Sequence, residues 1–475
     1  FSVISVDPND VNKIYLSGVP IIKSNDGGIT FTSISEDNVH ADHHVVWVNP
    51  NKSGHLINGN DGGLNISYDD GAHWFKGNSH GVSQFYAVNV DEQEPYNIYG
   101  GMQDNGVWVG PSNYKFSSEW YQTGKYPYEN LIGGDGMQIQ IDKRNPNIVF
   151  TGFQFGNYYR IDRANNKRDY ISPVQKKGEK PFRYNWQTPI LLSSHNQEIL
   201  YMGSNFLHRS MNQGQTWTAI SPDLTQGAKE GNVAFGTIAA ISESPLQFGL
   251  LYTGSDDGLV HVSKDGGATW NIISGNLPQN RWISRVVASA HKKERVYVTL
   301  NGYRNDDFTT YVYMSDDFGQ TWINIATNLP TSPVNVLVED NVNEDVLYLG
   351  TDNGLYVSLN KGSLWNDFSN GIPNVAVHDL VIQKKAKDLV VGTHGRSIYK
   401  VNLEPVQQLN EKVLAENLHV FEIKKIKKSK EWGNNWSSWA KAAEPKAEIW
   451  FYSDSDAEVV IQVENSLKEV VFSEK

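Results

Sequence analysis

Cysteine is absent from the 475 residues. This excludes disulfides and thiolate chemistry and leaves the compartment open. No apolar run approaches the roughly 18 residues a spanning helix needs, so no membrane span is expected. Basic residues are in the minority, 41 Lys and Arg against 53 Asp and Glu, for a formal net charge of −12. A nucleic-acid partner, which needs a basic face, is therefore not expected. No signal peptide is visible at Phe1, so the chain is expected to have lost one or to begin internally. With 39% hydrophobic residues the composition is too apolar for disorder. What is abundant is glycine (41) and tryptophan (14), set among short hydrophobic runs, as in many tight turns joining many half-buried strands.

One pattern recurs: Ser, any residue, Asp or Asn, any residue, Gly, and an aromatic seven positions after the Ser. It reads SNDGGITF at 24–31, SYDDGAHW at 67–74, SMNQGQTW at 210–217, SKDGGATW at 263–270, SDDFGQTW at 315–322 and SLNKGSLW at 358–365. The oxygens of Asp26, Asp69, Asn212, Asp265, Asp317 and Asn360 are expected to close the turn by accepting an N–H two residues on. The Gly supplies a left-handed conformation. The ring opens the returning strand and is buried between sheets. These positions read as structural rather than catalytic.

Ahead of most copies stands a hairpin signal, as in LINGNDGGLNIS at 56–67 or YLGTDNGLYVS at 348–358. An apolar strand precedes it. The unit is four antiparallel strands in about 45 residues, the period of a propeller blade. Nine units begin near Ser2, Val45, Phe85, Met137, Pro189, Thr237, Ser284, Asn335 and Val377; the third and fourth have lost the box and the ninth has three strands. The expected fold is all-β, a β-propeller of four-stranded antiparallel blades, eight or nine in view or shared between two propellers, followed by the start of a β-sandwich. Residues 1–403 form the propeller region, with 1–34 either completing the ring or belonging to a preceding propeller. Residues 404–446 read as a linker with a Trp-rich loop, its rings packed down or left as an exposed patch. Residues 447–475 alternate like the first strands of a sandwich.

The box motif resembles that of the Asp-box (BNR) repeat proteins, which include sialidases, sortilin-type propellers and two-propeller xyloglucanases. HADHHVVWVNP at 40–50, GNDGGLNIS at 59–67, QFYAVNVDEQEPYNIYGGMQDNGVWVGPS at 84–112 and LVVGTHGR at 389–396 look most like large bacterial secreted proteins labelled sortilin-like or glycosyl hydrolase-like. The resemblance implies secretion to the cell exterior or surface, and a second propeller upstream. It implies an activity far less than a fold. The Phe-Arg-Ile-Pro segment of sialidases is absent, PFRYNW at 181–186 being a superficial echo. No xyloglucanase catalytic aspartate aligns, so none is carried over.

Ligand sites are expected on the face that carries the second-to-third turns and the interblade connections. Three connections there read as long: 122–136, 172–188 and 221–236. The first brings Tyr126, Tyr128, Glu129 and Asp135, and the second brings Arg183 and Trp186. Rings beside charged groups suit a sugar. The HADHH segment adds His40, Asp42, His43 and His44. Their types suit a divalent ion, yet His43 and His44 face opposite sides of an extended strand. No metal and no cofactor is expected, though calcium suits the Asp-rich hairpins. The expected function is an extracellular recognition scaffold for a polysaccharide or a protein. One alternative is a glycoside hydrolase using paired carboxylates, with Asp42, Glu129 and Asp135 as candidate acids; the other is a structural subunit of a surface or secretion assembly.

Overall fold

A computed structural model describes residues 3–35, 39–77, 81–115, 127–231, 234–423, 425–435, 437, 439, 441–442, 444–456 and 458–474. Eight four-stranded sheets follow one another along the chain, each with its strands in sequence order, at 3–33, 43–76, 85–132, 140–170, 190–219, 238–272, 282–324 and 334–367. A ninth, at 377–402, has three strands. We number these blades 1 to 9.

Blades 3 to 9 form a closed ring of seven: each packs on the next, and the first strand of blade 9 packs on the first strand of blade 3. The seam is closed by packing and a few bonds rather than by a shared sheet. The Gly395 amide donates to the Ser83 carbonyl at 2.9 Å. The Val88 amide donates to the Asp379 carboxylate at 2.9 Å, and Gln383 reaches the Asp91 carbonyl at 3.1 Å. Phe85, Val88, Tyr96 and Val390 form the apolar part. Blades 1 and 2 pack on one another outside this ring.

The repeated turn joins the third and fourth strands, and its bonds differ from the expected ones. The Ser hydroxyl, not the Asx, handles the near amides: in blade 6 Ser263 Oγ accepts Gly267 N at 2.8 Å and donates to Asp265 at 2.9 Å. The Asx oxygen accepts the amide four residues on, at 2.9 Å from Thr269 to Asp265 and from Thr321 to Asp317. The amide two residues after the Asx is taken by the Ser hydroxyl, and the Asx oxygen serves the one two residues beyond. The Thr269 hydroxyl and amide hold Asp265 down to about 2.

Gly and Trp of the turn have a second task. In five blades the indole N–H donates to an Ile carbonyl of the preceding blade: Trp74 to Ile34, Trp217 to Ile171, Trp270 to Ile220, Trp322 to Ile273 and Trp365 to Ile325, at 2.5–2.9 Å. The Gly of the same turn sits on that Ile. A Cβ on Gly319 or Gly362 would lie 2.4 or 2.7 Å from the Ile δ-carbon, and both have positive φ (87° and 84°). The turn is thus the clamp between neighbouring blades. A buried Tyr on the second strand is the other constant: the Tyr99, Tyr201, Tyr297 and Tyr348 hydroxyls donate to Asp91, Glu243, Glu339 and Asp340 at 3.0–3.3 Å.

Two expectations are corrected here. Residues 129–132 are not part of an interblade loop; Glu129–Ile132 is the fourth strand of blade 3, paired with Val107–Val109. The box is lost in that blade, and residues 112–128 connect its third and fourth strands. The 404–446 segment is more than a linker. Residues 386–388 and 402–475 form a compact unit of their own, in which Leu418–Val420 pairs with Phe451–Ser453. Ile461–Glu464 pairs with Val470–Glu474. Leu418–Val420, at three residues, carries too little alternation to show in a sequence. Trp439 of the Trp-rich stretch is 75% exposed.

Candidate functional site

The centre of the ring opens, on the face of the second-to-third turns, into a funnel of about 510 Å3 to which all seven blades contribute. The side chains come from the start of a first strand, from a second-to-third turn or, in blade 5, from the connection ahead of its first strand, Ile190–Leu192. Its aromatic wall is Tyr86, Trp186, Trp282 and Tyr303; its amides include Gln103, Gln138, Gln187, Asn301 and Asn335. Trp186 and Tyr303 are each 40% exposed. Trp186 is braced edge-on by Phe155 at 5.0 Å. The Asn301 side-chain oxygen is buried and has no hydrogen-bond partner.

The charged groups of the funnel are few. Among the described residues Asp352 is its one carboxylate, and it accepts a bond from Asn335 at 2.9 Å. Arg285 pairs with Asp379 at 3.0 Å. His378 and His394 stack with centroids 4.2 Å apart. Burial, then the neighbouring His394 and Arg285, pushes His378 down to about 3; burial also lowers His394. Both rings are therefore neutral at pH 7.

A second polar cluster lies on the same face where blade 2 meets blade 3. His40, Asp42 and Asp61 each bring a potential ligand atom within 4.8 Å of the others. His44 Nε2 meets Asp61 at 2.5 Å, and His40 Nε2 lies 3.2 Å from the Asp104 carbonyl. Burial, then Asp135 and Asp61, raises the Asp104 carboxyl above its ordinary value. Asp135, 6% exposed, accepts the Asp104 amide at 2.7 Å.

Of the residues singled out from sequence, Trp186 lies in the funnel, and His40, Asp42, His44 and Asp135 meet at the blade 2–3 junction. His43 departs from a ligand-binding role: it is fully buried and its Nδ1 is bonded to Asn58 at 2.9 Å. Glu129 begins a fourth strand and so faces away from the funnel, where Arg163 holds it at 2.7 Å. Tyr128 precedes it on that far side, its ring 5.4 Å from Tyr114. Arg183 is a loop clamp, donating to the Gly236 carbonyl at 2.9 Å and to Asp223 at 2.8 Å. Tyr126 lies outside the described residues. Trp282, Tyr303, Arg304 and His378 line the funnel without belonging to any of the sequence motifs, whereas His394 stands in the GTHGR turn. The available signal was a common place at the start of a first strand or in a second-to-third turn.

Residues 187–399 match the family model described as the DUF6242 beta propeller domain. No relative matches among the curated proteins. Two solved structures are similar to this chain. One is a GH74 enzyme from Niastella koreensis, with a TM-score of 0.29 and 14% identity, covering 84% of this chain and 76% of that one. The other is a GH74 xyloglucanase from Xanthomonas campestris, with a TM-score of 0.34 and 12% identity, covering 84% of this chain and 72% of that one. The chain is a β-propeller.

Proposed function

We propose that this propeller is an extracellular recognition module of the Asp-box type that binds a polysaccharide in the central funnel. The observation that carries the reading is the lining: exposed Trp186 and Tyr303 with Trp282, interleaved with amides, and, among the described residues, a single carboxylate. Flat rings cover the apolar faces of a sugar, and amides both donate to and accept from its hydroxyls. One carboxylate does not make the acid–base pair that glycoside hydrolysis uses. Binding of soluble polysaccharides, followed by affinity electrophoresis, tests this. Trp186→Ala and Trp282→Ala are each expected to weaken binding roughly thirty-fold, the effect of losing an anchor of about 2 kcal/mol. Unchanged affinity in both variants would remove the funnel from consideration.

A second reading is favoured by one feature, the crowding of Asp42, Asp61, Asp104 and Asp135 with a raised Asp104. A carboxyl raised by burial and by neighbouring acids is the kind of group a glycoside hydrolase uses as its acid. Here the acids would act at the blade 2–3 junction. Reducing-end release from polysaccharide should then fall at least a hundred-fold in Asp104→Asn and in Asp42→Asn. Activity that survives both changes rules this reading out.

A further inference from the structure

Blade 7 has a feature the other blades lack. Between its second and third strands, Val296–Gly302 and Asp307–Ser315, the turn is lengthened by a single helical turn at Tyr303–Asn305. Asp306 follows in a left-handed conformation (φ 55°). The turn places Arg304 on the funnel wall with its guanidinium carbon 4.0 Å from the Trp282 ring and 4.4 Å from the Tyr303 ring. The side chain is exposed.

Its two arginine neighbours are neutralised. Arg281 pairs with Asp307 at 2.7 Å and Arg285 with Asp379 at 3.0 Å. Among the described residues Arg304 makes no ion pair. The rings seat the guanidinium, and no carboxylate among the described residues pairs with its N–H groups, the ones that grip an oxyanion in a fork.

A second cavity of about 360 Å3 adjoins the funnel and shares Trp282, Asn301 and Arg304 with it. It repeats the theme. Lys229 lies 3.9 Å over the Phe235 ring and, among the described residues, also has no carboxylate partner. The buried acids of this cavity are committed to the backbone. Asp256 accepts the Thr237 amide at 2.9 Å and hydroxyl at 2.7 Å, and Asp257 accepts the Gln226 amide at 2.6 Å. Glu230 is its remaining carboxylate. Two cations that make no ion pair among the described residues, each on an aromatic ring, stand out in a protein of net charge −12. A chain lying from the funnel past Trp282 into this cavity would set an oxyanion against Arg304 and the next against Lys229.

We propose that the ligand is an anionic polysaccharide and that Arg304, seated on Trp282 and Tyr303, selects for its charged substituent. This deepens the glycan reading above and rests on it. The oxyanion is a carboxylate or a sulfate ester, and the probes separate the two: dextran against dextran sulfate, and polygalacturonate against its methyl ester. The parent protein is expected to bind one anionic polymer at least ten-fold more tightly than its neutral counterpart, with the preference shrinking as salt is raised. Arg304→Gln should reduce that preference at least ten-fold, and Arg304→Lys should restore part of it. Trp282→Ala should weaken charged and neutral polymers together. If the parent binds charged and neutral polymers equally, or if Arg304→Gln keeps the full preference, the inference about charge is overturned while the glycan reading stands. If none of the four polymers binds, both are overturned.

Discussion

Trp365→Ala is expected to lower the unfolding free energy by about 3–5 kcal/mol, the range for removing a buried large aromatic. Trp365 is 3% exposed and lies in the cluster between blades 7 and 8 with Ile325, Leu347 and Leu349. Its indole N–H satisfies the Ile325 carbonyl at 2.7 Å, and its own amide donates to Asn328 at 2.9 Å. Alanine would leave a cavity and orphan the carbonyl together. Trp365→Phe separates the two losses: it keeps most of the ring and drops the bond, at about 1–2 kcal/mol. Phe31 of blade 1 is the control, because its ring is 38% exposed; Phe31→Ala should cost less than about 1 kcal/mol. Urea midpoints followed by circular dichroism give all three values. A Trp365→Ala midpoint no lower than that of Phe31→Ala would end the claim that the turn clamps neighbouring blades.

That clamp also shows how far the sequence carries. The spacing from Ser24 to Phe31, or from Ser263 to Trp270, locates the turns, and the sheets around them follow from alternation and Asp-Gly hairpins. The docking partner was also written in the repeat, one step further on: Ile34, Ile220, Ile273 and Ile325 each stand three residues after the box aromatic. A motif read inward, for its own turn, does not reveal that its last residue serves the preceding blade.

The funnel was harder to read. Tyr86, Trp282 and His394 meet only because the ring closes between blades 9 and 3. Glu129 was misplaced for a related reason. Once the box of blade 3 is gone, nothing in the sequence separates a long third-to-fourth connection from an interblade loop, and the two lie on opposite faces. His43 and His44 were separable in principle: alternation along a strand sends one inward and one outward, and the structure buries His43 and exposes His44.

Acid should destabilise the ring between pH 6.5 and 4, well above the range where its turn aspartates protonate. His208 and His261 occupy the same place in blades 5 and 6, the second position of the third strand. They are 2% and 6% exposed, and burial pushes both from 6.5 down to about 4. A folded value below the unfolded one means that the unfolded chain takes up protons first. The stabilisation is complete above pH 6.5 and is lost as pH falls toward 4. At about 1.4 kcal/mol per pH unit, each of these two histidines costs about 3 kcal/mol over that window, and His378 of the funnel, pushed down to about 3, adds a like share. Asp69, Asp265 and Asp317, held near 2, stay ionised throughout. Asp104 and Asp256, raised by burial, act in the opposite direction and blunt the loss. His261 is the residue to change, since its Nδ1 is buried without a partner and leucine forfeits no bond there. His261→Leu should flatten the fall in urea midpoint between pH 7.5 and 4.5 by up to about a third, with little change at pH 7.5. An unaltered acid slope in that variant would mean that the buried imidazoles do not set the acid limit of this propeller.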